Sequence, residues 1–426
     1  MASHQYRSTI PIAVNGKRIN QRLKKLAEFG INDHGGIDRS FGSAADIAAR
    51  NWLKEWWQKV FQSEVKVDPV ANLWIEVTGK EKLPPIVLGS HHDAVANGGK
   101  YDGSIGVLLA AEVMQTLEEA HFPMRHPMRI VSFSAEEPNP YNISTLGSRS
   151  ITGVLTKKDL EMVTHDATKV KLTDTIRSLG GDVDHLAGNL LHPRDLSAFL
   201  ECHIEQGRNL FDCGRSVAVV KGITGIYREK IKVIGEANHS GTTLMKDRHD
   251  ALLAGSELNL ALEEIILNTN QRDVVGTVGR FDVLPNAANI IPGEVDLIAE
   301  VRTTDEETLQ QIIDELSSRI RVIEKGRRVR ILRETILNQK SVPMDQQVQL
   351  TLKKVLTSMN EPFLEIPSMA GHDAVHMAPI AKTGMLFVPS IDGKSHCPEE
   401  ETNLEDIIKA GNVLLQTVIA LDKELD

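Results

Sequence analysis

The 426-residue chain has no run of 18 or more apolar residues, so a membrane-spanning helix is not expected. Its start, Met1 to Ile10, is polar and lacks the apolar core of a secretory leader. Cysteine is scarce. Cys202, Cys213 and Cys397 are too few for a disulfide framework, and none has the Cys-x-x-Cys partner of a thiolate metal site. A cytoplasmic protein with reduced thiols is the expectation. Positive charge is also in deficit, with 48 Lys and Arg against 58 Asp and Glu and a net charge of -10. That balance argues against nucleic acid as a partner. It leaves room for an anionic small molecule, because one local arginine decides that question. No internal repeat or low-complexity tract is present.

What is there fits a globular enzyme: 41% hydrophobic and 25% charged residues, and a length that suits two domains. The most informative stretch is Gly89-Ser90-His91-His92-Asp93, then Asp102-Gly103, then Glu136-Glu137. Ile86-Val87-Leu88 reads as a buried strand leading into His91, and Met128 to Phe133 as another leading into the glutamates. Between them, Ser104 to Ala120 has helix composition, with Ser104 as its expected N-cap. In open parallel α/β sheets, ligands bind beyond the carboxyl ends of strands. This order therefore sets imidazole and carboxylate groups around one crevice, a donor mixture suited to zinc and its neighbours. Two more histidines follow strand-like runs: His203 after Ala198 to Cys202, and His396 after Gly384 to Pro389. A lone histidine at a strand end is more often a hydrogen-bonded structural residue. Four candidate positions, each just past an expected strand, make coincidence a poor explanation. Successive side chains on a strand alternate, so His91 and Asp93 point together and His92 points away.

Residues 20–60 read as helical, with Trp52, Trp56 and Trp57 sharing a face. Strand and helix alternate to about residue 212, as an α/β sheet requires. Then the rhythm changes: strand 229–237, helix 247–268, strands 273–283 and 293–302, helix 305–323 and strand 328–332. That β-α-β-β-α-β order is ferredoxin-like. The expected fold is α/β: a mainly parallel sheet flanked by helices (1–213 and 333–426) carrying the metal site. An inserted ferredoxin-like α+β lid and dimerisation domain spans 214–332. Val295, Leu297, Ala299 and Val301 alternate as a core face, which puts Arg302 on the other face with Asp296 and Glu300. There it is either a surface ion pair or a clamp for a carboxylate.

The motifs resemble those of the two-metal amidohydrolases that include N-carbamoyl-L-amino-acid hydrolase, allantoate amidohydrolase and the yeast-type β-ureidopropionase. These lie within the aminoacylase and carboxypeptidase G group. The resemblance runs from about Val14 to the C-terminus. It rests on the segments already quoted and on Gly98 to Gly103, His203-Ile204-Glu205-Gln206-Gly207, Asp247-Arg248-His249-Asp250-Ala251 and Pro285 to Gly293. It implies that His91, Asp102 and His203 hold one divalent ion, and Asp102, Glu137 and His396 a second. Zinc is the leading expectation; manganese, cobalt and nickel are compatible with the same ligands. It makes Glu136 the general base, Asp93 the residue behind His91, and His239 the stabiliser of an oxyanion. His239 can alternatively be a loop cap. Gln206, His239, Asn289, Arg302, Gly371 and His372 are implied to contact substrate, a small molecule with a carboxylate. The implied reaction hydrolyses an N-carbamoyl amino acid to amino acid, carbon dioxide and ammonia, with allantoate and ureidopropionate as alternative substrates. Further rivals are a peptidase or aminoacylase and a non-catalytic ligand-binding module. A homodimer through the inserted domain is implied, with no nucleic-acid or membrane partner. The chain departs from the family pattern at Glu137-Pro138-Asn139-Pro140-Tyr141 and at His92, and the first departure is expected to reshape the pocket wall.

Overall fold

A computed structural model describes residues 12–426, so the polar start Met1 to Ile10 falls outside the described residues. The chain divides into two compact units. The larger runs to Lys221 and resumes over Met344–Ile366 and His372–Asp426; the smaller is Gly222–Pro343 with Pro367–Gly371. The expected division at 213/214 and 332/333 differs from this for a physical reason. Strand Val217–Ile223 pairs with Lys382–Val388 and so prolongs the larger unit's sheet. Strand Arg330–Gln339 is longer than its apolar residues suggested and stays paired with Gly225–Ile234.

In the larger unit the strand order is Lys66–Val67, Leu73–Val77, Met128–Phe133, Ile86–His91, Ala198–Ile204, Lys382–Val388, Val217–Ile223. The four from Met128–Phe133 to Lys382–Val388 are mutually parallel, and the flanking pairs are antiparallel. Register aligns His91 with Phe133 and Phe387 with His203, so these carboxyl ends share one edge of the sheet. The central strands are buried throughout and mainly apolar, as strands covered on both faces must be. Helix Ser104–Glu119 is nearly all buried. Its Glu112 carries a buried charge that is met by Arg18, Arg22 and the Asn15 N–H, the partners such burial demands.

Two local expectations are corrected. Residues 20–60 are not continuous helix: Gly16–Ala27 and Ala44–Phe61 are helices, separated by turns around His34-Gly35-Gly36 and Gly42. Ser43 caps the second by accepting the Asp46 N–H. Trp52 and Trp56 stack at 5.1 Å between centroids, while Trp57 points into the core. Helix Ser104–Glu119 has Gly103, not Ser104, as its N-cap. Gly103 takes φ +60°, and a Cβ there would lie 2.3 Å from the His91 ring, so only glycine fits. Ser104 begins the helix and its hydroxyl accepts from buried Arg39.

The smaller unit is an antiparallel sheet in the order Arg330–Gln339, Gly225–Ile234, Glu294–Thr303, Val274–Leu284. Helices Ala251–Asn268 and Glu306–Arg327 complete the strand-helix-strand-strand-helix-strand order and share a core with Ile231, Val233, Val295, Leu297, Ala299 and Val301. A two-residue ribbon joins Asn238–His239 to Ile290–Ile291. Among the described residues, no helix is long and apolar enough to cross a membrane.

Candidate metal centre

Five of the expected ligands converge at the carboxyl edge of the larger unit's sheet. His91 ends one strand, His203 lies near the end of the next, and Glu137 follows the turn after Met128–Phe133. Asp102 precedes helix Ser104–Glu119, and His396 sits in a loop beyond Lys382–Val388 with φ +56°. Asp102 divides its carboxylate between them. Oδ1 is 3.4 Å from His91 Nε2 and 3.2 Å from His203 Nε2, whereas Oδ2 is 3.3 Å from His396 Nε2. Glu137 Oε1 is 3.2 Å from that same His396 nitrogen.

The histidines are oriented from behind. His91 Nδ1 lies 3.1 Å from the Asp93 carbonyl and His203 Nδ1 3.0 Å from the Ile204 carbonyl. A carbonyl only accepts, so both Nδ1 atoms carry hydrogen and both Nε2 atoms face Asp102, where each becomes a ligand atom once its proton leaves. Asp93's carboxylate is slightly farther from His91, at 3.5 Å. It instead accepts the backbone N–H groups of Glu136 and Glu137, at 3.3 and 3.1 Å, just after Ala135 turns at φ +50°. Asp93 thus anchors the turn that presents both glutamates. Glu136 directs Oε2 to within 3.9 Å of His91 Nε2.

Electrostatics follow from crowding buried charge. Burial opposes ionisation of Asp102, yet His203, His396 and His91 hold its carboxyl well below the usual range. The nearby carboxylates of Asp102 and Glu137 lift His396 to about 11, against burial. Burial also opposes a charged His91, but Asp102, Asp93 and Glu136 keep it well above its ordinary value. Burial, helped by Glu137, Asp373 and Asp93 and opposed by His91, pushes Glu136 well up.

The donor set fits two divalent cations. His91, Asp102 and His203 offer ligand atoms within 4.8 Å of one another, and so do Asp102, Glu137 and His396. Glu137 Oε1 is buried without a hydrogen-bond partner, an atom that a cation would satisfy. Imidazole with carboxylate is chemistry for zinc, manganese, cobalt or nickel.

Glu205 and Gln206, in the 203–207 run, also have local tasks. Glu205 accepts the Asn209 and Leu210 N–H groups, and Gln206 turns at φ +60°. Gln206 Nε2 donates to Asp102 Oδ2 at 2.7 Å and is 3.3 Å from His396 Nε2. His372 is buried, its ring edge-on to His203 at 4.5 Å, and burial followed by that neighbour pushes its pKa well down. His92 does point away from the centre: Nε2 meets Asp46 Oδ1 at 2.8 Å and Nδ1 meets Ser132 Oγ at 2.6 Å. Tyr141 is buried against Phe41, with its hydroxyl on Thr175.

The other expected residues belong to the smaller unit. His239 is exposed on the short ribbon opposite Ile290, beside Asn289, whose carbonyl accepts the Ser240 N–H. Its Nδ1 accepts from Gly241 and Thr242, so the neutral ring carries its proton on Nε2. Arg302 donates from Nε to Glu300 at 2.7 Å and from Nη1 to the Met369 carbonyl at 2.8 Å. Gly371 closes the short segment that this unit takes from the later chain.

Sequence reasoning missed the polar groups behind the ligands. Buried Glu201 accepts from Ser90 Oγ and the Ala374 N–H, and Glu400 accepts from the Tyr101 and Asp102 N–H groups. The Glu399-Glu400 pair after His396 was visible, but nothing in the sequence distinguished which member turns inward.

Strand-end histidines sharing one carboxylate on a mainly parallel sheet define an α/β protein with candidate ligand groups for two adjacent cations. Residues 87–420 match the peptidase family M20/M25/M40, and the chain belongs to that family. It is 34% identical over 408 residues to an N-carbamoyl-L-amino acid amidohydrolase of Geobacillus stearothermophilus, covering 95% of this chain and 98% of the relative. It is 33% identical over 416 residues to a ureidoglycolate hydrolase of Arabidopsis thaliana, covering 96% and 87%. The crystal structure of a hydantoinase/carbamoylase family amidase from Burkholderia multivorans superposes with a TM-score of 0.88 at 30% identity, covering 96% of this chain and 98% of that one.

The centre's charge state makes cation affinity depend on pH. His396 holds a proton up to about 11 in the cation-free protein, and a ligating imidazole must be neutral, so binding releases that proton. Affinity should therefore fall as pH falls, by about tenfold per unit for each proton released. Competition titrations at pH 6, 7 and 8 check this; a pH-independent affinity contradicts it.

Proposed function

We propose that the chain is a two-cation hydrolase of the ureido bond in N-carbamoyl amino acids, yielding amino acid, carbon dioxide and ammonia. The observation that carries the reading is Asp102, whose two oxygens face different histidine sets. His91, His203 and Asp102 would hold one cation, and Asp102, Glu137 and His396 the other, with zinc the leading identity. When bound, such ions supply Lewis acidity that acidifies water and polarises a carbonyl. The likeness to the Geobacillus amidohydrolase supports the carbamoyl substrate. The likeness to the Arabidopsis hydrolase supports a second reading, a ureidoglycolate-type substrate. Ammonia release from N-carbamoyl amino acids, ureidoglycolate, allantoate and ureidopropionate separates the two, and no release from any of them discards both.

Glu136 takes a proton from the attacking water and passes it to the departing nitrogen. Support comes from its buried carboxyl, raised well above the usual range, in a turn anchored by Asp93. His239 donates from Nε2 to the oxygen that gains charge. Support comes from the two backbone N–H groups that occupy its Nδ1. Arg302 grips the substrate carboxylate with its planar fork, held in plane by Glu300 and the Met369 carbonyl, while Asn289 and Gln206 act as neutral donors. The smaller unit also mediates self-association. Leu253, Leu260 and Leu267, seven residues apart on one helix, are 41%, 64% and 68% exposed, and Val274–Leu284 is a sheet edge. A monomeric mass by light scattering at micromolar concentration removes this last assignment.

Glu136→Gln keeps the side-chain shape but cannot accept a proton. Turnover should fall about 10²–10⁴-fold while both cations remain bound. Metal analysis of the purified variant separates this from an exchange of roles with Glu137, which would cost one cation. Arg302→Lys should raise KM strongly, because an ammonium cannot reproduce the fork. Amidating the substrate carboxylate should cost little more in that variant, since partners in one contact give non-additive penalties. Independent, additive penalties would make Arg302 a structural arginine.

A further inference from the structure

Asp102 and His396 lie almost three hundred residues apart, and one buried side chain joins the loops that carry them. Glu400 is 1% exposed. Its Oε1 accepts the backbone N–H of Tyr101 at 2.8 Å and of Asp102 at 3.1 Å. Its Oε2 accepts from Ser395 Oγ at 2.9 Å, and that hydroxyl also lies 3.1 Å from Asp102 Oδ2. We infer that Glu400 is the positioning residue that assembles the pocket of Asp102, Glu137 and His396, and so sets that pocket's cation affinity. The inference rests on the two-cation reading.

Three observations support it. Gly99 leaves room for the carboxylate: a Cβ there would lie 2.0 Å from it, so the loop before Asp102 is shaped around Glu400. The neighbouring Glu401 ties down the same loop from outside, taking Lys100 Nζ at 2.8 Å and Tyr101 Oη at 2.5 Å. The rings of the other pocket are held differently, each by a carbonyl at its own strand end, and Glu400 makes no hydrogen bond to either. A carboxylate that binds two main-chain N–H groups and a hydroxyl fixes both loops without touching a cation, and such outer contacts typically change metal affinity about 10–100-fold.

The test titrates cation-free protein with cobalt(II), followed by calorimetry and visible absorption. Two binding steps are expected, and the step abolished in His396→Ala identifies the pocket in question. In Glu400→Ala that step should weaken about 10–100-fold while the other changes by only about a few-fold. Glu400→Gln keeps an acceptor for the two backbone N–H groups, so it should lose less, and it serves as the probe if the alanine variant does not fold. Ser395→Ala should weaken the same step, and the double variant should lose less than the sum. Unchanged steps in Glu400→Ala and Glu400→Gln, or equal weakening of both steps, overturn the inference while leaving the two-cation reading intact. A single cation in the unaltered protein overturns both.

Discussion

The site depends on burying more negative charge at one sheet edge than the protein can neutralise with hydrogen bonds. Asp93, Asp102, Glu136, Glu137, Glu201, Asp373 and Glu400 are all buried in the larger unit. Desolvation pushes Glu136, Glu137, Glu201, Asp373 and Glu400 towards their neutral forms. Burying a charge without a partner is costly, so such a cluster persists only with compensation. Part of that compensation is imidazolium, which is why His91, His203 and His396 all shift upward. The rest has the form of a cation site, with Glu137 Oε1 left without a hydrogen-bond donor.

Around this cluster the carboxylates divide the labour. Asp102 offers one oxygen to each pocket. Asp93 holds the turn of Glu136 and Glu137 through their backbone N–H groups, and Glu400 does the same for Tyr101 and Asp102. Backbone anchoring suits this purpose because main-chain donors cannot rotate away, so the attached side chains start from fixed positions. Behind them, Asp46, His92 and Ser132 form a buried hydrogen-bonded set away from the centre. That set has the residue types of a hydrolytic triad, but Ser132 is fully buried and bonded to His92 Nδ1, so it serves packing.

Much of this was legible in the chain itself. The strands before His91 and His203 open on apolar runs, followed by Gly89 and Ser90 in the first and broken by Glu201 in the second, and those before Glu136-Glu137 and His396 are also largely apolar; alternation on the strand separates His92 from its neighbours. Element boundaries were less legible. The break between helices Gly16–Ala27 and Ala44–Phe61 is made by turns at Gly30, Asn32, Asp33, Gly35, Gly36 and Gly42, a local signal outweighed in the reading of 20–60 by the helical residues on either side. Gly103 caps its helix because the His91 ring, distant in neither sequence nor space, leaves no room for a Cβ.

The sequence by itself determined the local matters: which segments are buried strands, which histidines and carboxylates terminate them, and the strand-helix order of the smaller unit. Hydrophobic periodicity and turn chemistry act over a few residues, so they can be read there. Only the tertiary structure decided that Asp102 splits its oxygens between two histidine sets. It also decided that Asp93 caps the glutamate turn and that Glu400, rather than Glu399, turns inward. Those outcomes depend on parallel strand register bringing residues tens to hundreds of positions apart to one sheet edge, and no local propensity encodes that distance.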